Sequence, residues 1–243
     1  MKKSFSVSLL EFEEDYSYQN NLKRISHFSL NLKNLTEVKY MCPYKNLTKL
    51  EKIIQPLPEQ KNIVFLGKGD YHYLTYLFLK RIKENLCLIV IDNHFDKYKR
   101  KEGFITCDTW LNDVEELKNV KKVVFVHNEV KYKEKNGKIV KTNTDIKAIF
   151  EEIKKLPIYI SIDKDILSEN YLKTNWDQGT LSLHELLNFL KNLSHRNIIG
   201  IDICGEPDSI NYYEYQKSEK INLNIIDIFT TTSIERNFYK IAK

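Results

Sequence analysis

The feature that most constrains this chain is a series of short, unbroken apolar runs that alternate with stretches of helical periodicity. The runs are rich in β-branched residues and occupy residues 63–66, 86–91, 123–126, 158–162 and 198–203. The helical stretches lie at residues 72–84, 109–117, 144–155 and 183–193. Strands buried on both faces show such runs, and their alternation with helices indicates parallel βαβ crossovers. We therefore predict an α/β fold with three αβα layers and a mainly parallel sheet.

Two segments fall outside this alternation. Residues 130–140 carry Asn136-Gly137 between alternating residues, which predicts an exposed β-hairpin. Residues 210–220 are polar and rich in tyrosine, so we predict a loop there, followed by a last helix within residues 221–239. Because no repeat or glycine-rich linker divides the chain, we predict a single domain over residues 1–243.

Composition argues against several classes of protein. The 38 basic residues comprise 33 lysines and only 5 arginines, which is unlike the arginine-rich surfaces that recognise nucleic acids. The longest apolar run has six residues, whereas a membrane span needs about 20. The cysteines form no C-x-x-C pair and no signal peptide opens the chain, so we expect reduced thiols and a cytoplasmic protein.

Acidic and imidazole side chains follow three of the predicted strands. The run 86–91 is followed by Asp92, His94 and Asp96, which share one side of an extended chain because side chains alternate. The run 158–162 is followed by Asp163 and Asp165 in the same relation, and the run 63–66 leads through a Gly-x-Gly turn to His72. Ligands of open α/β sheets bind at the carboxyl ends of the strands, so we expect these groups to converge there.

Four converging carboxylates repel one another unless protons or cations compensate them. Two divalent cations cancel four charges, and an oxygen-rich set with two imidazoles suits Mn²⁺ first, then Fe²⁺ or Zn²⁺. Two such ions acidify a water molecule and generate hydroxide near neutral pH.

Each motif also has a structural interpretation when it is taken alone. The D-x-H-x-D motif is compatible with a solvated loop, a D-x-D after a strand with a cap or turn, and His72 with an ordinary first helical turn. The occurrence of matched ligand types at three strand ends favours the metal site.

The segment Thr174-Asn-Trp-Asp-Gln-Gly179 leaves its role open. Asp177 is suited to selecting a cationic substrate or to hydrogen bonding a metal ligand, and Trp176 to stacking on a planar guanidinium. A buried turn explains the segment equally well.

These motifs resemble those of the ureohydrolase superfamily of arginase, agmatinase and formimidoylglutamase. The resemblance extends over residues 63–206 and includes the glycine turn before His72, the D-x-H-x-D and D-x-D motifs, and the segment Asp202-Ile-Cys-Gly-Glu206. Within this superfamily, the sequence is similar in particular to a short arginase-like branch. One departure is Tyr71, which is inserted between the aspartate and the histidine of the turn.

The resemblance implies a fold, two Mn²⁺ ions and a reaction. It implies that Asp92 and Asp163 bridge the ions, that His72 and Asp96 complete one site, and that His94 and Asp165 complete the other. A bridging hydroxide then attacks the carbon of a guanidine or amidine while Asp96 accepts its hydrogen bond. Glu206 corresponds to the carboxylate that orients the cationic substrate.

Three functions follow as hypotheses. The leading one is a binuclear Mn²⁺ hydrolase of linear C–N bonds that acts on a small cationic guanidine or amidine. The alternatives are a deacetylase-like amidohydrolase with a single Zn²⁺ and a non-catalytic or metal-stabilised binding protein. Family members are often oligomeric, so a homo-oligomer is also expected.

Overall fold

The computed structural model describes residues 5–127, 129–130, 134–208 and 211–230. Within these residues eleven strands form: β1 (Ser6–Glu11), β2 (Phe28–Asn31), β3 (Met41–Pro43), β4 (Asn62–Phe65), β5 (Leu86–Ile91), β6 (Phe104–Thr106), β7 (Val120–Val126), β8 (Glu134–Asn136), β9 (Ile139–Thr142), β10 (Ile158–Asp163) and β11 (Ile198–Cys204). The helices are α1 (Asn20–Ile25), α2 (Tyr44–Ile54), α3 (Thr75–Arg81), α4 (Trp110–Glu116), α5 (Ile146–Ile153), α6 (Leu183–Leu193) and α7 (Tyr212–Phe229).

Nine of the described strands form one sheet in the order β2-β1-β4-β11-β10-β5-β7-β9-β8. Every neighbouring pair is parallel except β8 and β9, and a separate antiparallel pair joins β3 to β6. All residues of β4, β5, β10 and β11 are buried, as the unbroken apolar runs predicted. The α/β prediction with a mainly parallel sheet is confirmed.

Helices cover both faces of the sheet and so form three layers. Along β4, Ile63 and Phe65 belong to the apolar cluster that contains the buried residues of α1, α5, α6 and α7. Val64 lies in the opposite cluster, with residues of α2, α3 and α4. Side chains of a strand alternate between faces, and here each face buries its own layer of helices.

Two peripheral predictions have different outcomes. The hairpin forms, with Asn136 opposite Ile139, so its turn consists of Gly137 and Lys138; residues 131–133 of the predicted segment lie outside the described residues. Strand β9 also pairs with β7, which makes the hairpin an edge of the main sheet. The predicted loop at residues 210–220 is wrong from Tyr212 onward, where α7 begins, and residue 210 lies outside the described residues. Residues 231–239 of the predicted last helix lie outside the described residues.

The parallel order brings four carboxyl ends to one edge of the sheet. Strands β4, β11, β10 and β5 are consecutive neighbours, so the segments that follow them lie side by side.

Within the described residues, no helix has the length and apolar character needed to cross a membrane.

Helix α6 gives a direct test of the local sequence rules. Ser182 accepts a hydrogen bond from the Glu185 backbone, and the Glu185 carboxylate accepts one from the Ser182 backbone, which completes a capping box. We predict that Ser182→Ala lowers the free energy of unfolding by about 1 kcal/mol, measured by urea denaturation. Ser182→Thr is the control, since a threonine hydroxyl also caps; equal losses in both variants would contradict a capping role.

Candidate metal centre

The six predicted ligand residues meet at the carboxyl edge of the sheet. Asp92, His94 and Asp96 follow β5, Asp163 ends β10, and Asp165 lies in the short 3-10 turn after it. The sixth residue, His72, comes from a 3-10 segment, Gly69–Leu74, that connects β4 to α3. This segment accommodates the extra residue Tyr71, which stacks on Phe12 at 4.3 Å while the His72 ring turns toward the carboxylates.

One group of donors surrounds the His72 ring. Its Nδ1 lies 3.2 Å from Asp92 Oδ2, 3.4 Å from Asp96 Oδ2 and 3.7 Å from Asp163 Oδ2. These separations match the spacing of neighbouring ligands around an ion bound at about 2.1 Å. Asp96 is held from behind, because the Trp110 indole N–H donates to Asp96 Oδ2 at 2.7 Å.

The tautomer of His72 follows from its other nitrogen. Nε2 lies 2.9 Å from Ser161 Oγ, and Ser161 donates its own proton to Asp202 Oδ1 at 2.6 Å. The hydroxyl therefore accepts from His72 Nε2–H, which leaves Nδ1 as the ring nitrogen that faces the carboxylates. A histidine that binds a metal is oriented in this way, by a hydrogen bond from its second nitrogen.

A second group of donors is centred on His94. Its Nδ1 lies 2.7 Å from Asp165 Oδ2 and 3.9 Å from Asp92 Oδ1. Backbone amides hold these carboxylates in place: His94 N donates to Asp92 Oδ1, and Asn93 N donates to Asp165 Oδ1. Asp92 thus faces both groups through different oxygens.

The donor sets fit divalent cations. His72, Asp92 and Asp96 place three ligand atoms within 4.8 Å of one another, and so do Asp92, His94 and Asp165. His72 Nδ1 and Asp92 Oδ2 are buried and have no hydrogen-bond partner among the described residues. Buried polar atoms without partners are costly, and a cation between them satisfies both.

Proton affinities reflect the crowding of negative charge. Burial, together with the charge of Asp96, raises the pKa of Asp92 to about 7. Burial and a neighbouring carboxylate raise the pKa of Asp163 and that of Asp165 to about 6. The hydrogen bond to Asp165 raises the pKa of His94 to about 9. Without cations, these carboxyl groups therefore keep their protons at pH values where a carboxyl group in water has lost its own.

A cavity of about 340 Å³ opens above the centre, with Asp92, His94, Asp96, Asp163 and Asp165 in its floor. The rings of Tyr40, Tyr98 and Trp176 line its wall, and Asp108 and Asp177 add two further carboxylates. The wall is therefore aromatic and mostly anionic, with Lys101 as a cation.

Trp176 is fixed at the cavity by Asp70, a residue that the motif analysis did not single out. Asp70 Oδ1 accepts from the Trp176 indole at 3.0 Å and from Asn175 at 2.8 Å. A side chain at Gly69 would place its Cβ 2.9 Å from the Trp176 ring, so the glycine turn lets the indole lie over the segment before His72. Asp177 accepts at its backbone carbonyl from Asn93, 2.9 Å away.

Glu206, the predicted substrate-orienting residue, lies in a buried polar network and is not among the residues that line the cavity. Its carboxylate is buried and accepts from the Lys164 ammonium at 2.5 Å. Further donors are Gln19 at 2.6 Å, Ser218 at 2.7 Å and Asn222 at 2.9 Å. The physical reason is Gly205, whose positive φ of 82° turns the chain after β11, so Glu206 lies behind the centre and outside the cavity lining.

Comparisons with known proteins agree with this architecture. A family model for the arginase family matches residues 6–205. A protein of Thermotoga maritima described as uncharacterized is 38% identical over 220 residues, which covers 90% of this chain and 88% of the relative.

Three solved structures show the same fold at low sequence identity. The chain is similar to a hypothetical agmatinase from Burkholderia thailandensis, with 14% identity, a TM-score of 0.69, and 94% and 86% of the two chains covered. It is similar to Trypanosoma cruzi formiminoglutamase with Mn²⁺, with 11% identity, a TM-score of 0.69, and coverage of 95% and 96%. It is also similar to Bacillus subtilis arginase, with 13% identity, a TM-score of 0.66, and coverage of 96% and 100%.

The buried ion pair generates a prediction about stability. Lys164→Met leaves the Glu206 carboxylate buried without its cation, so we expect a loss of about 3–5 kcal/mol in the free energy of unfolding. The control is the double variant Lys164→Met/Glu206→Gln, in which the residual charge is gone. Urea denaturation should show most of the loss recovered; a double variant as unstable as Lys164→Met would contradict the explanation.

The raised pKa values predict how pH affects the chelator-treated protein. Asp92, Asp163 and Asp165 bind protons more readily when folded than when unfolded, where carboxyl pKa values are near 3.8. Their contribution to the free energy of unfolding therefore falls as pH rises from about 4 to about 7. In thermal unfolding, the melting temperature of Asp92→Asn should fall less steeply with rising pH than that of the unsubstituted protein. Identical pH profiles for this variant and the unsubstituted protein would refute the assignment.

Proposed function

This chain belongs to the arginase family, and we propose that it is a binuclear manganese hydrolase that cleaves a linear C–N bond of a guanidine or amidine. The observation that carries the proposal is the convergence of four carboxylates and two imidazoles beneath one cavity, where Asp92 belongs to two donor groups, with His72 and Asp96 and with His94 and Asp165. Arginase-family folds are typically hydrolytic, and the Trypanosoma cruzi neighbour is described with Mn²⁺.

The proposed ligands divide into two sets. His72 and Asp96 would hold one ion, His94 and Asp165 would hold the other, and Asp92 and Asp163 would serve as ligands shared by the two. The oxygen-rich donor chemistry favours Mn²⁺. When bound, the two ions would lower the pKa of a water molecule and polarise the reacting carbon.

The protein side chains supply the remaining requirements of the reaction. Trp110 fixes one oxygen of Asp96, so that this carboxylate is oriented to accept the hydrogen bond of the attacking nucleophile. The buried position of His72, Asp92 and Asp163 limits access of bulk water from beneath, which strengthens electrostatic interactions at the reacting carbon.

The cavity wall favours a planar cation as substrate. Trp176 presents an indole held rigidly by Asp70, and an aromatic face attracts a guanidinium. Asp177 and Asp108 add negative charge along the wall, which attracts the same cation. We therefore assign substrate binding to Trp176 and Asp177, and catalysis to Asp96.

One observation favours a second candidate function. Because Lys164 and three polar side chains engage Glu206, the cavity lacks the carboxylate that the family resemblance implied for orienting a substrate. A metal-stabilised binding protein on the same scaffold needs no such group.

Metal content and turnover distinguish the candidates. Protein grown with Mn²⁺ should contain two ions per chain and release urea or ammonia from one of arginine, agmatine, guanidinobutyrate or related compounds. Asp92→Asn and Asp163→Asn should lose both bound metal and turnover, because each removes a shared ligand. Asp227→Asn, in α7 outside the cavity, is the matched control and should retain both.

Three other outcomes contradict the proposal. Fewer than one ion per chain excludes a binuclear centre. Two ions without release of urea or ammonia from any compound of the panel favour the binding protein. A single Zn²⁺ with release of acetate from acetylated amines identifies a deacetylase-like amidohydrolase.

A further inference from the structure

Cys204, the last residue of β11, lies inside the candidate metal centre. Its thiol is fully buried and donates to Asp163 Oδ2 at a distance of 3.1 Å. The ligand atoms of Cys204, His72 and Asp163 all lie within 4.8 Å of one another, as do those of the two groups already described. Sulfur is thus the seventh potential donor in a centre otherwise composed of oxygen and nitrogen.

A second observation points to a cation at this position. His72 Nδ1 is buried, has no hydrogen-bond partner within the described residues, and lies 3.7 Å from the carboxylate oxygen that the thiol contacts. The Ser161 hydroxyl fixes the opposite nitrogen, so the ring cannot turn away without losing that bond. Two donors, one from the 3-10 segment after β4 and one from the end of β11, therefore face the same oxygen of Asp163.

The backbone holds the sulfur in this place. Cys204 is the direct partner of Asp163 in the parallel ladder between β10 and β11. The next residue, Gly205, approaches so closely that a Cβ there would lie 2.4 Å from Asp163 Oδ1. This close approach requires glycine at position 205, and it lets the end of β11 lie directly against the Asp163 carboxylate.

We propose that Cys204 is a sulfur ligand of the ion held by His72 and Asp163, and that it raises the affinity of this position for Zn²⁺ and Co²⁺ relative to Mn²⁺. On binding, the S–H bond breaks, its proton passes to solvent, and a metal–sulfur bond forms. Thiolate is a soft ligand that favours Zn²⁺, whereas carboxylate and water suit Mn²⁺. The inference rests on the proposed function, because the same centre must bind divalent ions.

Cobalt spectroscopy tests the ligation directly. Metal-free protein titrated with Co²⁺ should develop a sulfur-to-cobalt charge-transfer absorption in the near ultraviolet. The matched control Cys87→Ala removes a buried thiol of β5 that lies in the apolar core, and it should keep this absorption. Cys204→Ser should bind Co²⁺ without the absorption, and its affinities for Co²⁺ and Zn²⁺ should fall about 10–100-fold, with a smaller change for Mn²⁺.

X-ray absorption on the unsubstituted protein avoids reliance on a variant that fails to fold. Protein loaded with two Zn²⁺ per chain should show a sulfur neighbour at about 2.3 Å, on average one for every two zinc ions, beside nitrogen and oxygen at about 2.0–2.2 Å. Zinc bound by nitrogen and oxygen alone, or charge-transfer absorption that persists in Cys204→Ser, overturns the sulfur ligand but leaves the binuclear centre intact. A protein that binds neither Mn²⁺, Co²⁺ nor Zn²⁺ overturns the proposed function itself.

Discussion

The structure depends on the placement of four carboxylates at one edge of a parallel sheet. Asp92, Asp96, Asp163 and Asp165 come from the ends of two neighbouring strands, and each is almost fully buried. Burial and mutual repulsion both oppose ionisation, so these side chains need protons or cations in order to remain there. Metal binding would replace these protons, so the cost that weakens the chelated protein would also favour divalent ions at this site.

A polar network behind the centre supports β10. Lys164 lies between the two aspartates of that strand end, and it points away from the cavity to Glu206, Ser218 and Asn222. The last two residues belong to α7, so the network ties the helix to the segment that carries Asp163 and Asp165. The ion pair therefore acts on the candidate ligand residues Asp163 and Asp165 from the side opposite the cavity.

The sequence predicted the elements whose signal is local. The bounds of β5 and α6 match the predicted ranges, because an unbroken apolar run and a capping box are properties of neighbouring residues. The convergence of the strand ends also followed from alternation and from parallel topology. The first part of α7 was predicted as a loop because it is polar. One of its polar residues, Ser218, is buried where it contacts Lys164, 54 positions earlier in the sequence.

The surroundings of Glu206 were not predicted, for a related reason. A motif fixes the order of residues, but Gly205 decides the direction of the next side chain, and its conformation is not visible in the spacing. The role of Trp176 was left open in the same way, since Asp70 lies 106 residues away in sequence. Both positions depend on contacts between distant segments.

Anomalous diffraction from a crystal of Mn²⁺-loaded protein tests the central claim most directly. The account predicts two anomalous peaks in each chain, both adjacent to Asp92 and Asp163, with His72 beside one and His94 beside the other. A single peak, or peaks bound elsewhere on the chain, would contradict it.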